Sequence, residues 1–223
     1  MKNFWEFKSK KYPRPFDEGV IEKTKEILKK IESYGISFEG KDVIDIGCGT
    51  GIYGLVIAQK ARKVLCFDIS DGMINILKEE SQRLNIKNVE AIVGDFRDYN
   101  FDKYKKAFDI SFASMTPAIK DSKDILKMEY LSREFCVYIG WAGMRENKVY
   151  DDIFDYFEIK HYIPDGYFDI KKFLMREILI MRHLFLKMSG NGREVWMRQL
   201  MSFITELNLT ILILKRKRLE IFF

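Results

Sequence analysis

Apolar and polar positions alternate along this chain in two rhythms, one helical and one of short continuous runs, and the switching between them predicts its elements. In DEGVIEKTKEILKKIESYG, apolar Val20, Ile21, Ile27, Leu28, Ile31 and Tyr34 recur at helical spacing. Asp17 is placed to cap that helix and Gly35 to end it. DVIDI follows as a buried strand, then a glycine-rich loop, then IYGLVIAQKA as a helix. KVLCFDI is a second apolar run that ends at Asp68, and Ser70 or Asp71 can cap the helix GMINILKEESQRL. VEAIVGD, AFDISFAS and EFCVYIGW read as a third, fourth and fifth strand, with DSKDILKMEYLS helical between the last two. Apolar runs alternating with amphipathic helices predict an α/β fold, a parallel sheet covered on both faces.

Past Trp141 the rhythm fails. NKVYDDIFDYF and FDIKKFLMREILIMRHLFLKM read as helices, SGNG as a turn and REVWMRQLMSFITEL as another helix. LTILILKRKRLEIFF reads as one final strand, because its KRKR has no Gly, Asn or Pro to turn a hairpin.

Composition narrows the class. The 223 residues are 47% hydrophobic and 32% charged, which suits one domain with a proper core and a modest appendage. Cys48, Cys66 and Cys136 are far apart in sequence and follow no metal or disulfide spacing, so a reducing, cytoplasmic setting is expected. The start, MKNFWEFKSKKYPRPF, lacks the apolar centre of a signal peptide. The most apolar stretch, ILIMRHLFLKM, is broken by Arg182 and His183, so no membrane partner is expected. Charge is uneven: from Ile170 onward there are 11 Lys and Arg against four Glu, leaving 27 basic and 29 acidic residues before it. A basic tail reads as a solvated face or as a contact for RNA. His161 and His183 have no metal-ligand partner at helical spacing, no metal is expected, and the methionines read as core filler.

The candidate chemistry sits in VIDIGCGTGIYG, residues 43–54. Gly49, Gly51 and Gly54 match G-x-G-x-x-G, in which glycines bring the backbone close to a ligand and a helix start offers free N–H groups. An acid ending the second strand, Asp68, suits a ribose diol whether the ligand is a dinucleotide or S-adenosylmethionine. Asp45 discriminates: a carboxylate two residues before Gly47 can hold the amino group of an amino acid, which a dinucleotide lacks. The third strand ends in GDF, where Asp95 can accept from an adenine amino group while Phe96 packs beside the ring. A ligand lying across Asp45, Asp68 and Asp95 would meet them in the order methionine part, ribose, adenine.

On these residues the chain resembles the class I S-adenosylmethionine-dependent methyltransferases. VIDIGCGTG, VLCFDIS and VEAIVGDF look like their first three motifs in order, and FDISFASM sits where the fourth lies, over roughly residues 15–143. The resemblance implies a Rossmann-like, doubly wound, mostly parallel sheet with helices on both faces and S-adenosylmethionine as cofactor. It implies that Gly47, Cys48, Gly49 and Gly51 surround the methionyl part, that Asp68 binds both ribose hydroxyls, and that Ile69 and Met73 flank adenine. Asp95 and Phe96 would take the adenine edge, and Ser114 at the end of the fourth motif joins the cofactor set. Residues 1–16 would form an N-terminal lid, 17–143 the cofactor-binding core and 144–223 a helical, irregular C-terminal region.

Tyr12, Met115 and Trp141 are the substrate candidates. Ser114-Met115-Thr116-Pro117 replaces the Asn-Pro-Pro-aromatic of relatives that methylate nucleobase or glutamine amides, which argues against those acceptors. Methyl transfer is an in-line displacement promoted mainly by alignment and water exclusion, so no catalytic base is required or assigned. The expected activity is methyl transfer to an oxygen or nitrogen of a small molecule. The alternatives are a tRNA or rRNA methyltransferase and a noncatalytic module binding the cofactor or RNA. The C-terminal third departs from the family, whose sheet closes with a sixth and an antiparallel seventh strand. It reads either as an appendage for substrate or a homodimer contact, or as an altered reading frame near the end.

Overall fold

The computed structural model describes residues 1–141, 156, 169–170, 172–173, 209–215 and 218–222. The helices expected between 147 and 207 lie outside these residues, apart from those isolated positions, as do His161, His183 and the Trp141 side chain.

Two helices lead in, α1 (Lys2–Ser9) and α2 (Val20–Ser33). The alternation then runs β1 (Asp42–Ile46), α3 (Gly54–Ile57), β2 (Lys63–Asp68), α4 (Asp71–Arg83), β3 (Val89–Val93), β4 (Phe108–Ser114), α5 (Ser122–Leu131) and β5 (Ser132–Trp141). Two further strands follow, β6 (Leu209–Lys215) and β7 (Arg218–Phe222). The sheet order is β3-β2-β1-β4-β5-β6-β7, with the first five strands parallel. β6 runs antiparallel to β5, and β7 antiparallel to β6. This is the expected doubly wound α/β sheet. The single final strand is corrected to two: Lys215 pairs with Arg218, so only residues 216–217 join them. Glycine, asparagine and proline favour short hairpin connections without being required for them, which is why their absence misled. No helix among the described residues is long and apolar enough to cross a membrane.

Side chains alternate across each strand, so the sheet buries a core on both faces. Val43, Val64, Ile110 and Val137 join Leu55, Leu77 and Ile31 in one cluster. Ile44, Ile46, Leu65 and Ala113 join Met128, Leu131 and Ile125 in the other. Helix ends follow the local chemistry. Ser70 caps α4 by accepting from the Met73 N–H, and Asp121 caps α5 by accepting from Lys123 and Asp124. Asp17 does not cap α2 through its side chain, which accepts the Arg14 N–H instead, 2.9 Å away. Its main-chain carbonyl takes the first helical amides, those of Val20 and Ile21. α3 is a single turn, much shorter than its sequence pattern predicts.

Strand order reverses between β1 and β4, since successive strands step outward in opposite directions from there. In such sheets a crevice opens beyond the carboxyl ends of the strands at that point. Gly51 shapes the approach to it. Its φ is +91°, and a Cβ there would lie 2.9 Å from Leu55 Cγ and 3.0 Å from Leu77 Cγ. This glycine serves the packing of the loop onto α3 and α4. Gly51→Ala therefore combines backbone strain with overpacking, about 1–3 kcal/mol. A thermal melt should show the unfolding midpoint lowered by roughly 2–12 °C at this chain length; an unchanged midpoint would contradict the packing role.

Candidate functional site

Three strand ends and the glycine loop converge on a cavity of about 600 Å³. Asp45, Gly47, Cys48, Gly49, Asp68, Ile69, Met73, Asp95, Phe96 and Ser114 all line it, as do Tyr12 and Met115. Gly51, expected among them, does not; its missing side chain makes room for Leu55 and Leu77. Gly54 likewise answers to packing, since a Cβ there would stand 2.6 Å from Cys66 Sγ and 2.9 Å from Asp45 Oδ2.

Gly47 is needed for a neighbour that the sequence did not point to. A Cβ at Gly47 would lie 1.9 Å from Thr116 Oγ1, so the loop after β4 keys into the loop after β1. Its amide donates to the Phe67 carbonyl at 2.7 Å. Gly49 is the position whose bare backbone faces open space. The only atom near a Cβ there is Tyr12 Cε1, at an ordinary 3.7 Å.

Asp45 is 2% exposed, and its Oδ2 has no hydrogen-bond partner among the described residues. Burial pushes its pKa up to about 7, an effect that the Gly54 amide opposes and the charge of Asp68 reinforces. Asp68, at the end of β2, is 9% exposed and structurally engaged. Oδ2 accepts the Gly49 N–H and Oδ1 the Ser70 N–H, each at 2.9 Å. Burial raises its pKa, and those amides oppose the rise. Each carboxylate oxygen has two lone pairs, so both can still accept a further bond from a ligand.

Ser114 closes the β4 side. Its Oγ lies beside the Tyr53 hydroxyl, yet no partner meets hydrogen-bond geometry. Asp95 Oδ1 accepts the Arg97 N–H at 3.0 Å. Phe96 lines the cavity and is 2% exposed, with its ring packed on Phe67 and Phe101. Met115 holds φ at +48°, an uncommon conformation for a residue with a side chain.

The N-terminal segment forms a roof. Trp5, Tyr12 and Pro13 line the cavity, and Trp5 meets Tyr12 edge-on with ring centroids 6.3 Å apart. Glu6 docks α1 onto the start of α4, accepting the Asp71 and Gly72 amides at 2.7 and 3.0 Å. A carboxylate there satisfies orphan donors and meets the positive end of the helix dipole. Arg14 reaches buried Glu80 at 2.6 Å, and Thr50 donates its hydroxyl to the Pro13 carbonyl at 2.7 Å.

Sequence reasoning missed Tyr53, Thr116 and Glu6. Tyr53 stands in the quoted glycine motif and was legible as an aromatic at a cavity edge. Nothing local marks the other two, whose partners lie 69 and 65 or more residues away in the chain. The structure also brings Cys48 and Cys66 thiols into contact, although their spacing gives no sign of it.

The chain can now be set beside known proteins. Residues 37–174 match the family model described as methyltransferase domain. Over 64 residues the chain is 41% identical to the cypemycin N-terminal methyltransferase of Streptomyces sp., covering 29% of this chain and 25% of that protein. Over 65 residues it is 38% identical to ribosomal RNA small subunit methyltransferase A of Mycoplasmopsis pulmonis, again 29% and 25%. The chain thus matches only a quarter of the length of either protein. Phosphoethanolamine N-methyltransferase 1 of Haemonchus contortus, in complex with phosphoethanolamine and S-adenosylhomocysteine, superposes with a TM-score of 0.50. That match is 21% identical and covers 63% of this chain and 31% of the other, a likeness of fold.

The burial of the Asp45 carboxyl has a measurable consequence. Its folded-state pKa of about 7 lies above the unfolded value near 3.9, so the native state binds the extra proton between them. Stability from this group is therefore complete below about pH 4 and is lost as pH rises toward 7. Asp45→Asn should match the parent near pH 4.5 and exceed its unfolding free energy at pH 7.5, on the order of 1–3 kcal/mol. Urea titrations across that range check this; parallel pH curves for the two proteins would refute it.

Proposed function

This chain belongs to the class I methyltransferase domain family, and from that premise we propose that it moves a methyl group from S-adenosylmethionine to an oxygen or nitrogen of a small molecule. The observation that carries this reading is the cavity spanning the ends of β1, β2 and β3 under a roof of Trp5, Tyr12 and Pro13. Its size, about 600 Å³, is that of a small-ligand site.

The residues present fit the cofactor. Asp45 Oδ2 and Ser114 Oγ are buried acceptors without partners, on the side expected to receive an amino acid's ammonium. The open side of Gly49 lets the backbone approach a ligand, and Asp68 keeps lone pairs for the ribose hydroxyls. Ile69 and Met73 would flank adenine, Asp95 would accept from its amino group, and Gly47 and Cys48 would border the methionyl part. When bound, S-adenosylmethionine supplies an electrophilic methyl on a sulfonium whose positive charge disappears during transfer. The chain's own contribution is to align the acceptor and to exclude water beneath the roof. Burial keeps the Tyr12 and Tyr53 hydroxyls protonated, so they serve as hydrogen-bond donors to an acceptor and not as bases.

A second reading, an RNA acceptor, rests on the outer face of α1. Phe4 and Phe7 are 54% and 71% exposed, and Lys8, Lys10 and Lys11 are exposed on the same N-terminal segment. Aromatic and basic side chains together suit a single strand. Its affinity would fall steeply with salt through counterion release; binding of an oligonucleotide that is absent or indifferent to salt removes this reading.

Calorimetry tests the main proposal. S-adenosylhomocysteine should bind at micromolar level and NAD should not; tight NAD binding with no response to S-adenosylhomocysteine would overturn it. Asp68→Ala should weaken S-adenosylhomocysteine binding by roughly 10- to 1000-fold. Because Asp68 also holds the Gly49 and Ser70 amides, that variant should lose thermal stability as well. Asp68→Asn should be milder in both respects, since one amide oxygen still accepts.

A further inference from the structure

The loop after β3 carries Asp95, and a side chain of α5 grips it from behind. The Lys127 ammonium donates to the carbonyls of Phe96 at 2.5 Å, Arg97 at 3.0 Å and Tyr99 at 3.2 Å. An ammonium has three protons, so all of them are used. The same group lies 5.0 Å from the Phe96 ring centroid and 5.1 Å from that of Phe101. Those rings face it at cation–π distance and anchor its position against the core. A second tie runs in the opposite direction: Arg97 reaches back from the loop to Asp124 at 2.9 Å and to Asp121, both at the start of α5.

One peptide unit connects this grip to the cavity. The Phe96 carbonyl and the Arg97 N–H belong to the same planar group, so fixing one fixes the other. Lys127 holds the carbonyl side, and the N–H side donates to Asp95 Oδ1 at 3.0 Å. The result is a continuous line from ammonium to carbonyl, through the peptide to the amide, and on to the carboxylate. Each hydrogen bond polarises the next. Phe96 and Arg97 also border the cavity, but the Phe96 ring is packed in the core and the Arg97 guanidinium is tied to Asp121 and Asp124, so Asp95 is the carboxylate this loop offers to a ligand.

We infer that Lys127 is a positioning residue that sets the purine preference of the cavity, aiming the Asp95 carboxylate at an exocyclic amino group. The inference rests on the reading that the cavity holds S-adenosylmethionine. A carboxylate held in this direction accepts from the amino group of adenine and faces the oxo group of hypoxanthine without a bond. The Lys127 side chain itself touches no ligand; it acts through the Phe96–Arg97 peptide.

The test compares S-adenosylhomocysteine with S-inosylhomocysteine by calorimetry. The parent protein should prefer the adenine compound by about tenfold or more, the difference made by one charge-assisted hydrogen bond. Lys127→Met should bring that preference to within about threefold, chiefly by weakening the adenine compound. Lys127→Arg should fall between, because a planar guanidinium cannot direct three protons to carbonyls that converge on one point. Equal losses for both compounds in Lys127→Met would assign Lys127 a purely structural role and overturn the inference. If Lys127→Met does not fold, Lys127→Arg decides. A reduced preference at an unchanged unfolding temperature supports the inference, and an unchanged preference overturns it. A parent that binds both compounds equally overturns this inference alone; one that binds neither overturns the cofactor reading beneath it.

Discussion

The carboxyl edge of the sheet depends on the Asp68 carboxylate. It takes one amide from the glycine loop, 19 residues earlier in the chain, and one from the turn into α4, and so joins the two segments. Main-chain bonds extend the junction: the Gly47 N–H reaches the Phe67 carbonyl at 2.7 Å, and the Gly94 N–H reaches the Asp68 carbonyl at 2.8 Å. The loops after β1, β2 and β3 are therefore all fastened at two consecutive residues. A buried carboxylate is costly unless hydrogen-bonded, and here the two amides offset the cost while leaving acceptor capacity toward the cavity. Asp45, behind it, has no such compensation at Oδ2. The pair sets a satisfied acid, which builds the frame, beside one whose Oδ2 is unsatisfied among the described residues.

The roof over the cavity is attached by a different kind of bond. Glu6 on the α4 amides, Lys2 on Asp71 and Arg14 on Glu80 are polar contacts, while Phe4 and Phe7 remain turned to solvent. Gly72 makes the seat possible, since a Cβ there would lie 2.5 Å from Ser9 Oγ.

The parallel sheet, its strand limits and the acids at the strand ends were legible because burial on both faces leaves continuous apolar runs, and each run ends visibly at Asp45, Asp68 or Asp95. The glycine motif was legible as a motif but not as geometry. Gly47, Gly51 and Gly54 each avoid a different neighbour, and those neighbours become apparent only when the chain is folded. Phe96 borders the cavity, and its ring also joins an aromatic cluster with Phe67 and Phe101, an effect of tertiary packing that no local pattern shows. The β6–β7 pair was hidden for a different reason, because a two-residue connection of basic residues carries no turn signal. Glu6 was invisible as a cap because it caps another helix from 65 residues away.

Gly47 and Thr116 interlock across the point where strand order reverses, and this has an evolutionary implication. A side chain at Gly47 has no room while Thr116 keeps its present shape, with only 1.9 Å between the new Cβ and Thr116 Oγ1. Enlarging the first position is tolerable only if the second shrinks or its loop retreats, so the two sites form one heritable unit. Thr116 belongs to the same loop as Met115 and Pro117, which line the cavity. Any remodelling of this loop is therefore constrained by the glycine it must accommodate.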